Sequence, residues 1–138
     1  MNDFEEKIAS IFPKGDNGDP AFVVTFDPKN PVIGIPLVIH LHRIKVDTQY
    51  TISITVKNEK SEQIAASTQQ LIIHREEVKN DPSQLFEDGT VLLSFETTVL
   101  PVSVKPDQSE ILKISVVLFS DEISNPPVHT YLTTRAEK

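Results

Sequence analysis

Apolar and polar residues alternate strictly from Gln49 to Asn58, with Tyr50, Ile52, Ile54 and Val56 on one side and Thr51, Ser53, Thr55 and Lys57 on the other. A period of two marks a strand with one buried face and one wet face. The same signature returns in Ile111 to Ser120, where Leu112, Ile114, Val116 and Leu118 share a face. Further strands are predicted over Ala21 to Phe26, Leu37 to Ile44, Thr90 to Leu100 and Val128 to Thr134. Val91, Leu93, Phe95 and Val99 form the more apolar face of Thr90 to Leu100. The run from Gln63 to Arg75 changes register: Ile64 and Ala66 belong to one alternation, Leu71 and Ile73 to the other. Such a slip predicts a bulge or a break around Ser67 to Gln70.

Loops separate these runs. Lys14 to Pro20 is turn-forming by composition, and Asp27 to Pro36 carries Pro28, Pro31 and Pro36, which keep it extended and out of a central strand. Asn58 to Glu62 is a short polar hairpin link. Residues 76–89 form the longest polar loop, with a helical turn expected near Pro82 to Phe86. Pro101 and Pro106 flank Val102 to Val104, which reads as an edge segment or a crossing between sheets. Only the N-terminus has a helical period. Phe4, Ile8, Ile11 and Phe12 fit one helix face, Asn2 or Asp3 can cap it, and Glu5 and Glu6 suit its first turn. A helix is therefore expected over residues 2–12, with a first strand or an arm for another subunit as the alternatives.

About seven or eight strands without intervening helices give mainly antiparallel pairing, because parallel neighbours need long crossovers. The expected fold is all-β: an antiparallel β-sandwich over residues 21–138, preceded by a helix or arm and loop over residues 1–20. The strand spacing resembles immunoglobulin-like and fibronectin-type sandwiches. The Cys…Trp…Cys framework of antibody domains is absent, since the chain has neither residue.

Composition sharpens this picture. Val, Ile and Thr total 39 against 15 for Ala and Leu, a balance that suits pleated surfaces. The absence of cysteine excludes disulfides, thiolate metal sites and thiol nucleophiles. A formal charge of −7 argues against nucleic acid and anionic membrane surfaces as partners. With no Trp and only Tyr50 and Tyr131, a sugar-stacking platform is not expected. The acidic start lacks the pattern of a secretory signal, so the expected setting is a soluble, cytoplasmic one.

Candidate chemistry is sparse. His40 and His42 lie two apart on one strand and would project from the same face, about 7 Å apart. Two imidazoles so placed can begin a metal site if His74, His129 or a carboxylate joins them. With Leu37, Ile39 and Leu41 on the core face, the same two histidines also suit an ordinary wet face. Asp16, Asn17 and Asp19, with Asp27, offer oxygen ligands but lack the spacing of a calcium loop. No nucleophile elbow, phosphate loop or H-E-x-x-H motif occurs, so no catalytic residue and no cofactor is expected. Glu96 falls on the half-polar face of its strand, where it would be solvated. What remains is protein interaction or self-assembly, through the stripe of Phe4, Ile8, Ile11 and Phe12 or through edges at Val102 to Val104 and Val128 to Thr134. The rival readings are a metal-binding protein or enzyme centred on His40 and His42, and a structural subunit of a larger assembly.

Overall fold

Eight strands form in the computed structural model, which describes residues 6–78 and 85–137. In chain order they are β1 (Lys7–Pro13), β2 (Val23–Phe26), β3 (Val32–Lys45), β4 (Gln49–Lys57), β5 (Gln63–Ile72), β6 (Thr90–Ser103), β7 (Ile111–Phe119) and β8 (Val128–Ala136). A single helical turn, α1 (Arg75–Val78), follows β5. β1, β3 and β6 make a three-stranded sheet, and β2, β8, β7, β4 and β5 make a five-stranded one, each in that spatial order. All pairs are antiparallel except β2 with β8. The result is a β-sandwich of immunoglobulin-like type.

The core follows from the period-two pattern. Ile52, Ile54 and Val56 of β4 oppose Leu118, Val116 and Ile114 of β7, and all six are fully buried. They face Ile35, Leu37, Ile39 and Leu41 of β3 across the sandwich, in one continuous apolar cluster. Each such side chain contributes about 1.5–3 kcal/mol of burial free energy.

The N-terminal expectation is corrected where it can be seen: residues 7–13 are a strand, not a helix. β1 pairs with β3, and its register slips between Ile8 and Ser10, opposite Leu41 and His40. Ala9 is the extra residue of a bulge. Ile8 and Ile11, three apart, therefore face the core together, which imitates a helical spacing. Residues 1–5, including Phe4, lie outside the described residues.

Other expectations shift. Pro36 lies inside β3, the middle strand of its sheet, opposite Thr98, so the proline run does not stay out of a central strand. β5 keeps one register with β4 from Ala65 to Ile72, and its irregularity sits at Ile64 rather than at Ser67 to Gln70. Ser67 and Gln69 consequently alternate with Ala65 and Leu71 on the inward side. There the Gln69 amide donates to the Thr97 hydroxyl of β6. β6 does not stop at Pro101. Ile33 pairs with Val102 and Ile35 with Val99, so a bulge at Leu100 and Pro101 carries the strand through. β6 is the end strand of its sheet, so Val102 lies on an edge as expected although its side chain and that of Val104 are buried, whereas β2 covers the Thr133–Ala136 stretch of β8. The helical turn forms at Arg75–Val78; the greater part of the Pro82 to Phe86 expectation lies outside the described residues.

Candidate functional site

A bulge in β3 builds a groove at one end of the sandwich. Leu41 pairs with Leu93 and Ile44 with Val91, which leaves His42 and Arg43 as the irregular pair. Arg43 has φ 60°, in the left-handed region that costs a non-glycine residue about 1–2 kcal/mol. That backbone turn swings its guanidinium over the Phe86 ring, 4.2 Å from the centroid. Nη1 donates to Asp88 Oδ2 at 3.1 Å and to the Thr90 hydroxyl at 3.4 Å. The Thr90 hydroxyl and amide both donate to Asp88 Oδ1, at 2.6 and 3.1 Å. Those bonds, with Arg43 behind them, hold the Asp88 carboxyl below the usual carboxylate range.

The opposite wall belongs to the start of β1. Glu6 is buried and takes a hydrogen bond of 2.5 Å from the Tyr50 hydroxyl. The Tyr50 oxygen in turn accepts the Lys45 amide at 3.0 Å. Lys45 Nζ lies 3.7 Å from Glu6 and 3.5 Å from Glu122. Asn125 donates to the Glu6 carbonyl at 3.0 Å, fixing the strand's entry. Burial, then the hydrogen bond to Glu6, push the Tyr50 phenol well above its ordinary pKa. Glu6, His42, Arg43, Lys45, Asp88 and Glu122 thus line a groove of about 610 Å³ at one end of the sandwich. Both of its cations are already engaged, Arg43 by Asp88 and Lys45 by Glu6 and Glu122 together, a state that fixes the walls more than it attracts a charged ligand.

The histidines separate. His40 and His42 do share the outer face of the three-stranded sheet, in a shallow hollow with Ala9, Leu92 and Ser94. His40 stacks on Phe12, with ring centroids 5.7 Å apart. His42 Nδ1 is buried and has no hydrogen-bond partner among the described residues. His74 sits beyond β5, 3.6 Å from Asp47. His129 lies on the other sheet, its Nδ1 2.7 Å from the Ser115 hydroxyl. Among the described residues no three His, Asp or Glu side chains gather into a metal-holding group. Asn17 and Asp19 bond to each other in a closed turn, and Glu96 is exposed and pairs with Lys14 at 3.1 Å. Ile8 and Ile11 are core residues, so the stripe they were expected to form with Phe4 and Phe12 is not an exposed one.

The outer face of the five-stranded sheet carries what spacing alone did not reveal. Val23 of β2 and Ile111 of β7 both pair with Thr133 of β8, one from each side. Tyr131, two residues before Thr133, shares that face. Val23, Ile111 and Tyr131 are 45%, 50% and 54% exposed, and neighbouring Phe22 is 51% exposed. Thr130 and Thr134 are buried, and the Thr134 hydroxyl accepts the Glu110 amide at 3.1 Å. The signal available in the sequence was the alternation of β8 itself, since Leu132 inward requires Tyr131 outward.

No family model matches the chain, and no curated protein matches it in sequence. Its fold is similar to a bacterial adhesin from Mobiluncus mulieris that contains intramolecular disulfide, isopeptide and ester bond cross-links, solved in two crystal forms. One form gives a TM-score of 0.57 at 13% identity, over 91% of this chain and 49% of the adhesin chain. The other gives 0.53 at 13% identity, over 82% and 53%. The present chain spans about half the length of those adhesin chains. At this identity the likeness is one of fold. No helix among the described residues is long and apolar enough to cross a membrane.

Proposed function

We propose that this chain is a non-catalytic β-sandwich module that binds another protein through the outer face of its five-stranded sheet. The supporting observation is the cluster of Val23, Ile111 and Tyr131, three large apolar side chains each about half exposed, on a face otherwise rich in Thr and Ser. Single exposed apolar residues are ordinary, whereas adjacent ones rimmed by polar groups mark contact surfaces. Tyrosine is well suited to the centre of such a contact, because it offers a large rigid ring and a hydroxyl together.

The test uses the full chain, immobilised, beside the double variant Ile111→Ser/Tyr131→Ser. Both side chains are half exposed, so the variant is expected to keep its stability. A specific protein retained from an extract of the source cells by the natural chain and lost by the variant is the expected result. Equal retention by the two would remove this face from the reading.

A further inference from the structure

The five-stranded sheet ends at β5, and that edge differs from the others. β1 carries Lys7, Pro13 and a bulge; β2 is four residues long between Pro20 and Pro28; β6 carries Glu96, Pro101 and a bulge. Charges, prolines, bulges and shortness are the devices by which sheet edges avoid further pairing. From Gln63 to Ile73 the sequence QIAASTQQLII has no charge, no proline and no glycine, in a chain that is 24% charged. Its one irregularity lies at Ile64, near the start. Among the described residues no strand covers its free side.

We propose that β5 pairs antiparallel with β5 of a second copy, joining two five-stranded sheets into one across a two-fold axis at Thr68. The register follows from symmetry and side-chain alternation. A two-fold axis normal to the sheet keeps inward residues opposite inward residues, so the two numbers in each pair must have an even sum. Centring the uncharged run fixes that sum at Thr68 against Thr68. Ala65 then meets Leu71 and Ser67 meets Gln69 on the inner side, while Ala66 meets Gln70 on the outer side. Just beyond the paired run, this register sets Glu62 toward His74 and Arg75 of the second copy, and Lys60 toward its Glu76. This charge complementarity favours a copy of the chain over an unrelated strand. Everywhere else two copies of net charge −7 repel. The inference is independent of the proposed protein-binding face, which lies at the far side of the same sheet, on β2, β8 and β7.

Strand pairing of this length is a small interface, so association is read by sedimentation velocity across about 1 µM to 1 mM. The natural chain should shift from monomer to dimer over that range. Thr68→Lys, an exposed position, should leave the monomer folded and weaken dimerisation at least about tenfold by setting two ammonium groups face to face. The register has its own readout, because the chain lacks cysteine. Thr68→Cys should give a disulfide-linked dimer on mild oxidation. Ala66→Cys should not, since its two copies would sit four residues apart, roughly 13 Å. Mixing Ala66→Cys with Gln70→Cys should restore the cross-link. A strict monomer at the top concentration, or cross-linking that ignores position, overturns the proposal. Loss of the dimer in Thr68→Lys with unchanged behaviour at the Tyr131 face supports it alone.

Discussion

At the scale of single residues, Tyr50 shows how one side chain ties a core to a groove. Its ring is fully buried, yet its hydroxyl bridges Glu6 and the Lys45 amide. Tyr50→Phe leaves a buried carboxylate and an amide short of a partner, at an expected cost of about 1–3 kcal/mol in urea unfolding at pH 7. The phenol also predicts an alkaline limb. Its folded pKa is raised, so the folded state holds the proton where an unfolded tyrosine, with its pKa near about 10, releases it. The resulting stability is present below about pH 10 and is lost as pH rises beyond it, at up to about 1.4 kcal/mol per pH unit. Unfolding free energies measured from about pH 9 to 11.5 should show that slope in the natural chain and lack it in Tyr50→Phe. Asp88 has the opposite sign. Its folded pKa is depressed, so its contribution exists above the unfolded value and disappears as pH falls through the folded one. Asp88→Asn should therefore flatten the acid limb of a Tm against pH curve.

At the scale of elements, turns and bulges decide where the alternating pattern can be read. The β4–β5 link closes through Asn58, whose side-chain oxygen accepts the Lys60 and Glu62 amides at 3.0 Å each. Ser61 holds φ 62° there, a conformation that glycine adopts without strain. Ser61→Gly should raise stability by about 0.5–1 kcal/mol, the relief of strain less the glycine's greater freedom when unfolded. A rise in the urea midpoint at constant slope would register it; a fall would show that the serine side chain matters more than its backbone. β4 and β7 were legible in the sequence because no irregularity interrupts them. β1 was misread because the bulge at Ala9 converts a period of two into a spacing of three. β5 was misread because an edge strand places Ser67 and Gln69 inward without a dry core to exclude them. The shared face of His40 and His42 was legible from their spacing. The groove beside them was not, since Glu6, Lys45 and Glu122 meet only through long-range pairing and no local pattern encodes that.

For the whole molecule, the two sides of β7 separate the core from the proposed contact face. Ile114 is fully buried between β4 and β8 in the five-stranded sheet and faces the opposite sheet. Ile111, on the same strand, is half exposed beside Tyr131's face. Removing three carbons at Ile114 loses transfer free energy and opens a cavity that close-packed sheets fill only in part. Ile114→Ala should cost about 2–5 kcal/mol, a large fraction of the roughly 5–15 kcal/mol that holds an ordinary domain together. Ile111→Ser should change stability by no more than about 0.5 kcal/mol, as exposed substitutions usually do. Urea unfolding of both variants makes the comparison. A large loss at Ile111 would mean that the apolar cluster props up the fold, and its exposure would then no longer argue for a partner. A small loss there, beside a large one at Ile114, leaves binding as the physical reason for keeping an isoleucine in water.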